Sequence, residues 1–212
     1  VLSVLGRDFE FDLLPELTGF TDDNLFAALD RLVGQKILEP TSHADQKAWQ
    51  FTHALLQEAA YECLLKRQRV QLHKTVVALY ERIHPDLFQR EPERLAYHHS
   101  KANEHPKAAD AWYNAGQIAL RNSAHSEALT HFGKGIDEIG KAAQGQERKA
   151  TELKLYSAKG RTLISVEGHG SANVLGALNQ AAQLTEEVQS SAEVFPIVWG
   201  LNAYHMIRGN VA

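Results

Sequence analysis

Residues 112–135 read WYNAGQIALRNSAHSEALTHFGKG, and the spacing of their small and aromatic residues decides how most of the chain is read. Trp112, Ala115, Gly116 and Ala119 recur at steps of three and four, so they share one helical face. Ala128, Phe132 and Gly135 do the same on a second helix, with Asn122 to Ser126 as the turn between the two. Gly116 precedes Ala128 by twelve residues, and Ala128 precedes Phe132 by four. Small residues opposed in this way let two antiparallel helices approach closely while an aromatic ring fills the space beside them.

This pattern resembles a tetratricopeptide repeat. Two fainter copies follow it. Tyr156 and Gly160 stand four apart like Trp112 and Gly116, with Ala177 and Ala181 on the partner helix; Trp199, Ala203, Tyr204 and Gly209 begin a third unit. Gly116 and Gly160 are 44 residues apart, against roughly 34 in a regular repeat. Lengthened helices or loops are therefore expected, notably around Gly168-His169-Gly170.

Working back toward the start, Pro106 and Pro92 bracket a shorter helix with Leu95, His98, His99 and Ala102. Before it, Leu72, Val76, Leu79 and Ile83 form a stripe that Pro85 stops, and Ala54 to Leu65 is an apolar helix with scattered charges. Residues 1–52 are different. Phe11 to Leu17 predicts a short helix closed by Gly19, and Thr21-Asp22-Asp23-Asn24 caps a longer one that ends near Gly34. Ile37 to Pro40 then reads as a strand, Thr41 to Lys47 as a polar loop, and Trp49-Gln50-Phe51 as a returning strand. The order helix, helix, helix, hairpin is that of a winged helix-turn-helix. The expected fold is thus mainly α: a winged helix with a small β-hairpin over 1–65, linking helices over 66–105, and a superhelical array of about two and a half tetratricopeptide-like repeats over 106–212.

The 212 residues are 44% apolar and 23% charged with a formal net charge of −4, the composition of a chain that folds. No stretch of about 18 residues is free of charges and turn formers, which leaves no membrane-spanning helix. The single cysteine, Cys63, cannot form an internal disulfide, so a cytoplasmic setting is the default. The chain starts at Val1-Leu2-Ser3 with no signal-peptide pattern and stops just after a helix, at Ile207 to Ala212; it reads as a piece of a longer protein.

Catalytic signatures are absent from the sequence. It has no GxxxxGK[ST], no GxGxxG after a strand, no HExxH and no GxSxG. Gly133-Lys134-Gly135 looks superficially like a phosphate loop but sits within helical periodicity, where packing explains it. His98 and His99 point about 100° apart on a helix, which suits exposed or half-buried residues better than one metal site. His125 and His131 end on different faces, and Cys63 reads as a small buried hydrophobe. His53 has the most informative position, where the returning strand hands over to the helix beginning at Ala54. An imidazole there can donate to an anion that the helix N-terminus also favours.

Three stretches carry a wider resemblance: Leu2-Ser3-Val4-Leu5-Gly6-Arg7-Asp8-Phe9, Ala27 to Val33, and Phe51-Thr52-His53-Ala54-Leu55-Leu56-Gln57-Glu58-Ala59-Ala60-Tyr61. With Leu72-His73, Leu95 to His99, Ala108 to Ala128 and Phe195 to Leu201, they resemble the segment that follows the ATPase core in bacterial STAND proteins. These are AAA/NB-ARC-type signalling ATPases, often fused to class III adenylate/guanylate cyclases or DNA-binding outputs. The resemblance implies that His53 contacts the β-phosphate of ADP bound to an upstream domain, although Ala54 stands where the better-known Met-His-Asp motif has its aspartate. It also implies that ATP or ADP binds the parent protein at a nucleotide loop upstream of Val1; no cofactor or metal is expected in this segment itself.

Two function classes follow, with an enzyme as a remote third. The first is a non-catalytic regulatory and scaffolding segment, its winged helix packing on the nucleotide-binding domain and its repeats holding a protein or peptide effector. The alternative is a DNA-binding transcription regulator. Against it, Thr21 to Lys36 carries Asp22, Asp23 and Asp30 but only Arg31 and Lys36, whereas a base-reading helix needs cations. The basic run Lys66, Arg67, Arg69 and Lys74 reads as a solvated face or an intramolecular contact.

Overall fold

The computed structural model describes residues 1–43, 46–188 and 191–209. Among these the chain is mainly helical, with eleven α-helices and one small three-stranded antiparallel sheet. It divides into two compact units, the first Val1–Leu87 with Lys101–Asn103, the second Phe88–Ser100 with the chain from Glu104 onward.

The first unit opens with a 3-10 turn, Leu2–Val4, and then β1 (Asp8–Glu10), α1 (Leu14–Thr18), α2 (Asp22–Gly34), β2 (Leu38–His43), β3 (Gln46–Phe51), α3 (Ala54–Glu62) and α4 (Lys66–Ile83). The sequence reading missed β1. Asp8-Phe9-Glu10 is too short to announce itself, and it becomes a strand because β3 offers an edge, pairing Phe9 with Trp49. The sheet order is β1-β3-β2. The hairpin strands also run longer than expected, pairing Leu38 with Phe51 through to His43 with Gln46. Most of the expected loop Thr41 to Lys47 is therefore strand, and only residues 44 and 45 lie outside the described residues. Pro40 is tolerated because β2 is an edge strand.

Gly19 closes α1 in the left-handed conformation, φ 72°, its N–H donating to the Pro15 carbonyl. Thr21 occupies the N-cap of α2, but its side chain makes no capping bond, and the first-turn acids Asp22 and Asp23 complement the helix end instead. Leu25 and Leu29 are buried, and Phe26 stacks on Phe11 at 4.4 Å between centroids beside Trp49. On α4 the buried positions are His73, Val76, Val77, Leu79 and Tyr80.

The second unit contains α5 (Leu87–Arg90, whose first residue closes the first unit), α6 (Pro92–Lys101), α7 (His105–Arg121), α8 (His125–Ile139), α9 (Gln146–Glu167), α10 (Ala172–Val188) and α11 (Ser191–Ile207). Each helix from α7 to α11 packs on its successor. The α7–α8 turn is tight, with Ser123 at φ 60°. The longest described helix is α9, with 22 residues, and Gly168 at φ 77° breaks it before α10.

Candidate functional site

His53 is the N-cap residue of α3, in extended backbone at φ −132° and ψ 136°, directly after β3. Its carbonyl accepts from Leu56 N–H, and its side chain forms no capping bond. The ring is exposed and makes no hydrogen bond, ion pair or ring contact with the described residues. Thr52, the candidate cap, instead donates its hydroxyl to the carbonyls of Lys36 and Ile37, pinning the end of the hairpin to the end of α2. The sharp transition from strand to helix thus projects His53 beside the first N–H groups of α3, those of Ala54 and Leu55, which have no acceptor within the helix.

The helix behind it is unusual. None of the nine residues of α3 is buried; Leu55 is 75% exposed and Leu56 37%. Cys63, expected inside, is exposed as well. The sequence is apolar enough for a core helix, but only its two partly buried residues, Gln57 and Tyr61, reach inward, Gln57 donating to the Ser3 carbonyl at 2.6 Å. The following basic run is partly consumed within the unit. Arg69 forms a two-pronged pair with Glu62 at 2.8 Å and lies over the Tyr61 ring, while Tyr61 hydroxyl meets His73 Nε2 at 3.0 Å. His73 is fully buried, which drives its pKa down to about 4, with Lys101 adding to the effect.

Three of the glycines singled out in the sequence, Gly116, Gly135 and Gly160, stand at close contacts between helices. A Cβ on Gly116 would lie 2.3 Å from Phe132 Cε1, so the glycine is what admits the fully buried ring. Ala128 is fully buried beside Phe132. Gly135 faces Leu155 of α9, at 2.7 Å from a built Cβ, and Gly160 faces Leu178 of α10 at 2.8 Å. Tyr156 is half-buried against the cluster of Leu153, Ala181 and Ile197, and burial raises its pKa. Trp112 clusters with Ala96, Ala111 and Ala115 at 9% exposure, stacked on His131 and covered by Lys134 Nζ at 4.4 Å. Lys134 is thus a lid on an aromatic ring, and Gly133 beside it has open space around it.

The third unit departs from its expected register. Trp199 is 63% exposed and Gly209 packs against nothing; the packing glycine is Gly200, where a Cβ would stand 2.6 Å from Leu178. Position 196, four residues earlier, is a proline, so no aromatic-glycine pair marks the site in the sequence.

His98 and His99 are buried, not exposed, because α6 is enclosed on the side they occupy. His99 Nδ1 lies 2.8 Å from Glu104 Oε2. Nearby, Glu138 holds a buried carboxylate that accepts from Ser100 Oγ at 2.7 Å, Lys141 Nζ at 2.8 Å and, on the other oxygen, His105 Nδ1 at 2.9 Å. Burial alone would raise its pKa, but these hydrogen bonds and the Lys141 charge outweigh it and hold the carboxyl below its usual value. Nothing in the sequence marked this network, whose members come from three helices and the start of a loop. Its oxygens are fully engaged, so it fixes the packing of α6, α7 and α8 and leaves no free acid or base for chemistry.

No family model matches the chain, and no solved structure does. It is similar to an uncharacterized protein of Rhizobium meliloti (strain 1021), with 25% identity over 190 residues, 89% of this chain. The chain spans about a fifth of that relative's length, 18%. No described helix is long and apolar enough to cross a membrane.

Proposed function

We infer that this chain is a non-catalytic regulatory and scaffolding segment of a multidomain signalling ATPase of the STAND type. In this reading the first unit is a winged helix that closes on an upstream nucleotide-binding domain, and the second is a tetratricopeptide-like array that holds a protein or peptide effector. One observation carries it: α3 presents an exposed apolar face, including Leu55 and Leu56, with the unengaged His53 at its N-terminus. An apolar helix left uncovered marks a protein contact, and an imidazole beside free helix N–H groups suits a phosphate. ADP bound upstream would hold the closed arrangement through His53, while nucleotide exchange or effector binding would favour the open one.

Further support comes from the three-stranded sheet beside α1 and α2, and from the glycine-to-large-residue contacts repeated from α7 to α11. DNA binding is the weaker reading, since α2 carries three aspartates against one arginine and Arg69 is already paired with Glu62.

The test uses the longer parent protein, wild type and His53→Ala. Each is purified and denatured, and the released nucleotide is measured by chromatography. ADP retained by the wild type and lost from a folded His53→Ala protein is the expected outcome. Equal ADP in both, or none in either, would reduce His53 to a structural residue and remove the nucleotide-sensing role.

A further inference from the structure

We propose that Glu10, Asp12 and His84 form a binding site for one first-row divalent cation, with zinc the best match. The site stands apart from α3 and owes nothing to the reading above. Glu10 ends β1, Asp12 lies two residues on, and His84 is the C-cap residue of α4. One ligand atom from each lies within 4.8 Å of the other two, and His84 Nε2 is 2.5 Å from Asp12 Oδ2. Tetrahedral zinc with donors at about 2.0–2.2 Å holds them roughly 3.3–3.6 Å apart, so binding would open the His84–Asp12 pair by about an ångström and draw any wider separation in, changes that side-chain rotations at a partly exposed site allow.

The charge around the three residues favours a dication. Two carboxylates converge on a single imidazole, and Glu10 has no ion pair of its own among the described residues. Arg82, the nearest base in sequence, is committed to Glu16. The C-terminus of α4, an 18-residue helix, adds its own partial negative charge at His84. The donor set then selects the metal. One imidazole and two carboxylates suit zinc and its first-row neighbours; calcium needs six or more oxygens, and no thiol is present to favour copper(I). All three side chains are partly exposed, Asp12 by 35% and His84 by 29%, which leaves room for water as a further ligand. Bound metal would clamp the end of β1 to the end of α4 across 72 residues of chain, and it would bind the folded form alone.

The measurement is calorimetric titration of the chelator-treated 212-residue chain with zinc chloride, alongside Glu10→Gln, His84→Ala and Cys63→Ser. One saturable equivalent is expected in the wild type and in Cys63→Ser, with a melting temperature that rises until that equivalent is filled. Both Glu10→Gln and His84→Ala should lose the equivalent and the rise. Glu10→Gln alters only a partly exposed carboxylate, so circular dichroism should show its fold intact and its loss of binding attributable to the ligand. No saturable uptake, or uptake preserved in either variant, would overturn the three-ligand site and leave His84 and Asp12 as an ordinary ion pair.

Discussion

Gly116 and Phe132 interlock: the ring of Phe132 occupies the volume that any side chain at position 116 would need, 2.3 Å from a built Cβ. Phe132 is fully buried and has no room to retreat. Gly116→Ala should therefore cost about 1–3 kcal/mol by overpacking, and Gly116→Leu at least as much. Gly133 lies one turn-position away in the same helix as Phe132, with nothing within 4 Å of a built Cβ. Gly133→Ala should stabilise by about 0.5–1 kcal/mol. Urea unfolding of the two variants should move the midpoint in opposite directions; equal shifts would remove the packing argument.

Removing Leu178 empties a pocket shared by two helices. Leu178→Ala should cost about 2–5 kcal/mol, toward the upper part of that range because glycines line the cavity and cannot fill it. Thermal denaturation gives the number, and a loss under 1 kcal/mol would show that α9 and α11 collapse onto the gap.

His73 makes stability depend on pH in a definite direction. In the fold it stays neutral down to about pH 4, whereas an unfolded histidine takes up a proton near 6.5. Its contribution is complete above pH 6.5 and is lost as pH falls toward 4, by about 3 kcal/mol at most at 1.36 kcal/mol per pH unit. His73→Gln keeps a partner for Tyr61 but does not titrate. Urea midpoints at pH 7 and pH 5 should differ less in this variant than in the wild type.

The three tryptophans separate by exposure: Trp49 at 7%, Trp112 at 9% and Trp199 at 63%. Iodide should quench one class of emission readily, and Trp199→Phe should abolish that class. Full quenching of Trp112 would mean that it does not lie under Lys134. Trp112→Ala should cost about 3–5 kcal/mol if the ring contributes as a buried aromatic does.

Cys63 should react at once with a thiol reagent in the native chain, in one stoichiometric step without denaturant, because it is exposed beyond the end of α3. A thiol revealed only in urea would show that α3 is covered.

Contacts within a short span of chain were legible in the sequence, and contacts set by distant neighbours were not. Gly116, Ala128 and Phe132 announce themselves because residues twelve and four apart must face each other across a tight helical hairpin. The sequence shows that Ala54 to Leu65 is apolar but says nothing of what covers it, so Cys63 was expected inside and is exposed, as is Leu55. His98 and His99 show the opposite error, being polar residues enclosed by neighbours on other helices. β1 exists only because β3 has a free edge, and the Glu10, Asp12 and His84 cluster only because α4 ends where β1 does. The position of His53 at the junction of strand and helix was legible, and its freedom from partners became visible only with the fold.

Leu178 fills notches in both neighbouring helices, one at Gly160 and one at Gly200. One side chain of α10 thus seats against both α9 and α11, beside the separate cluster of Leu153, Ala181 and Ile197. Substitutions at Gly160 and Gly200 should accordingly fail to add, since each displaces the Leu178 side chain that the other also contacts.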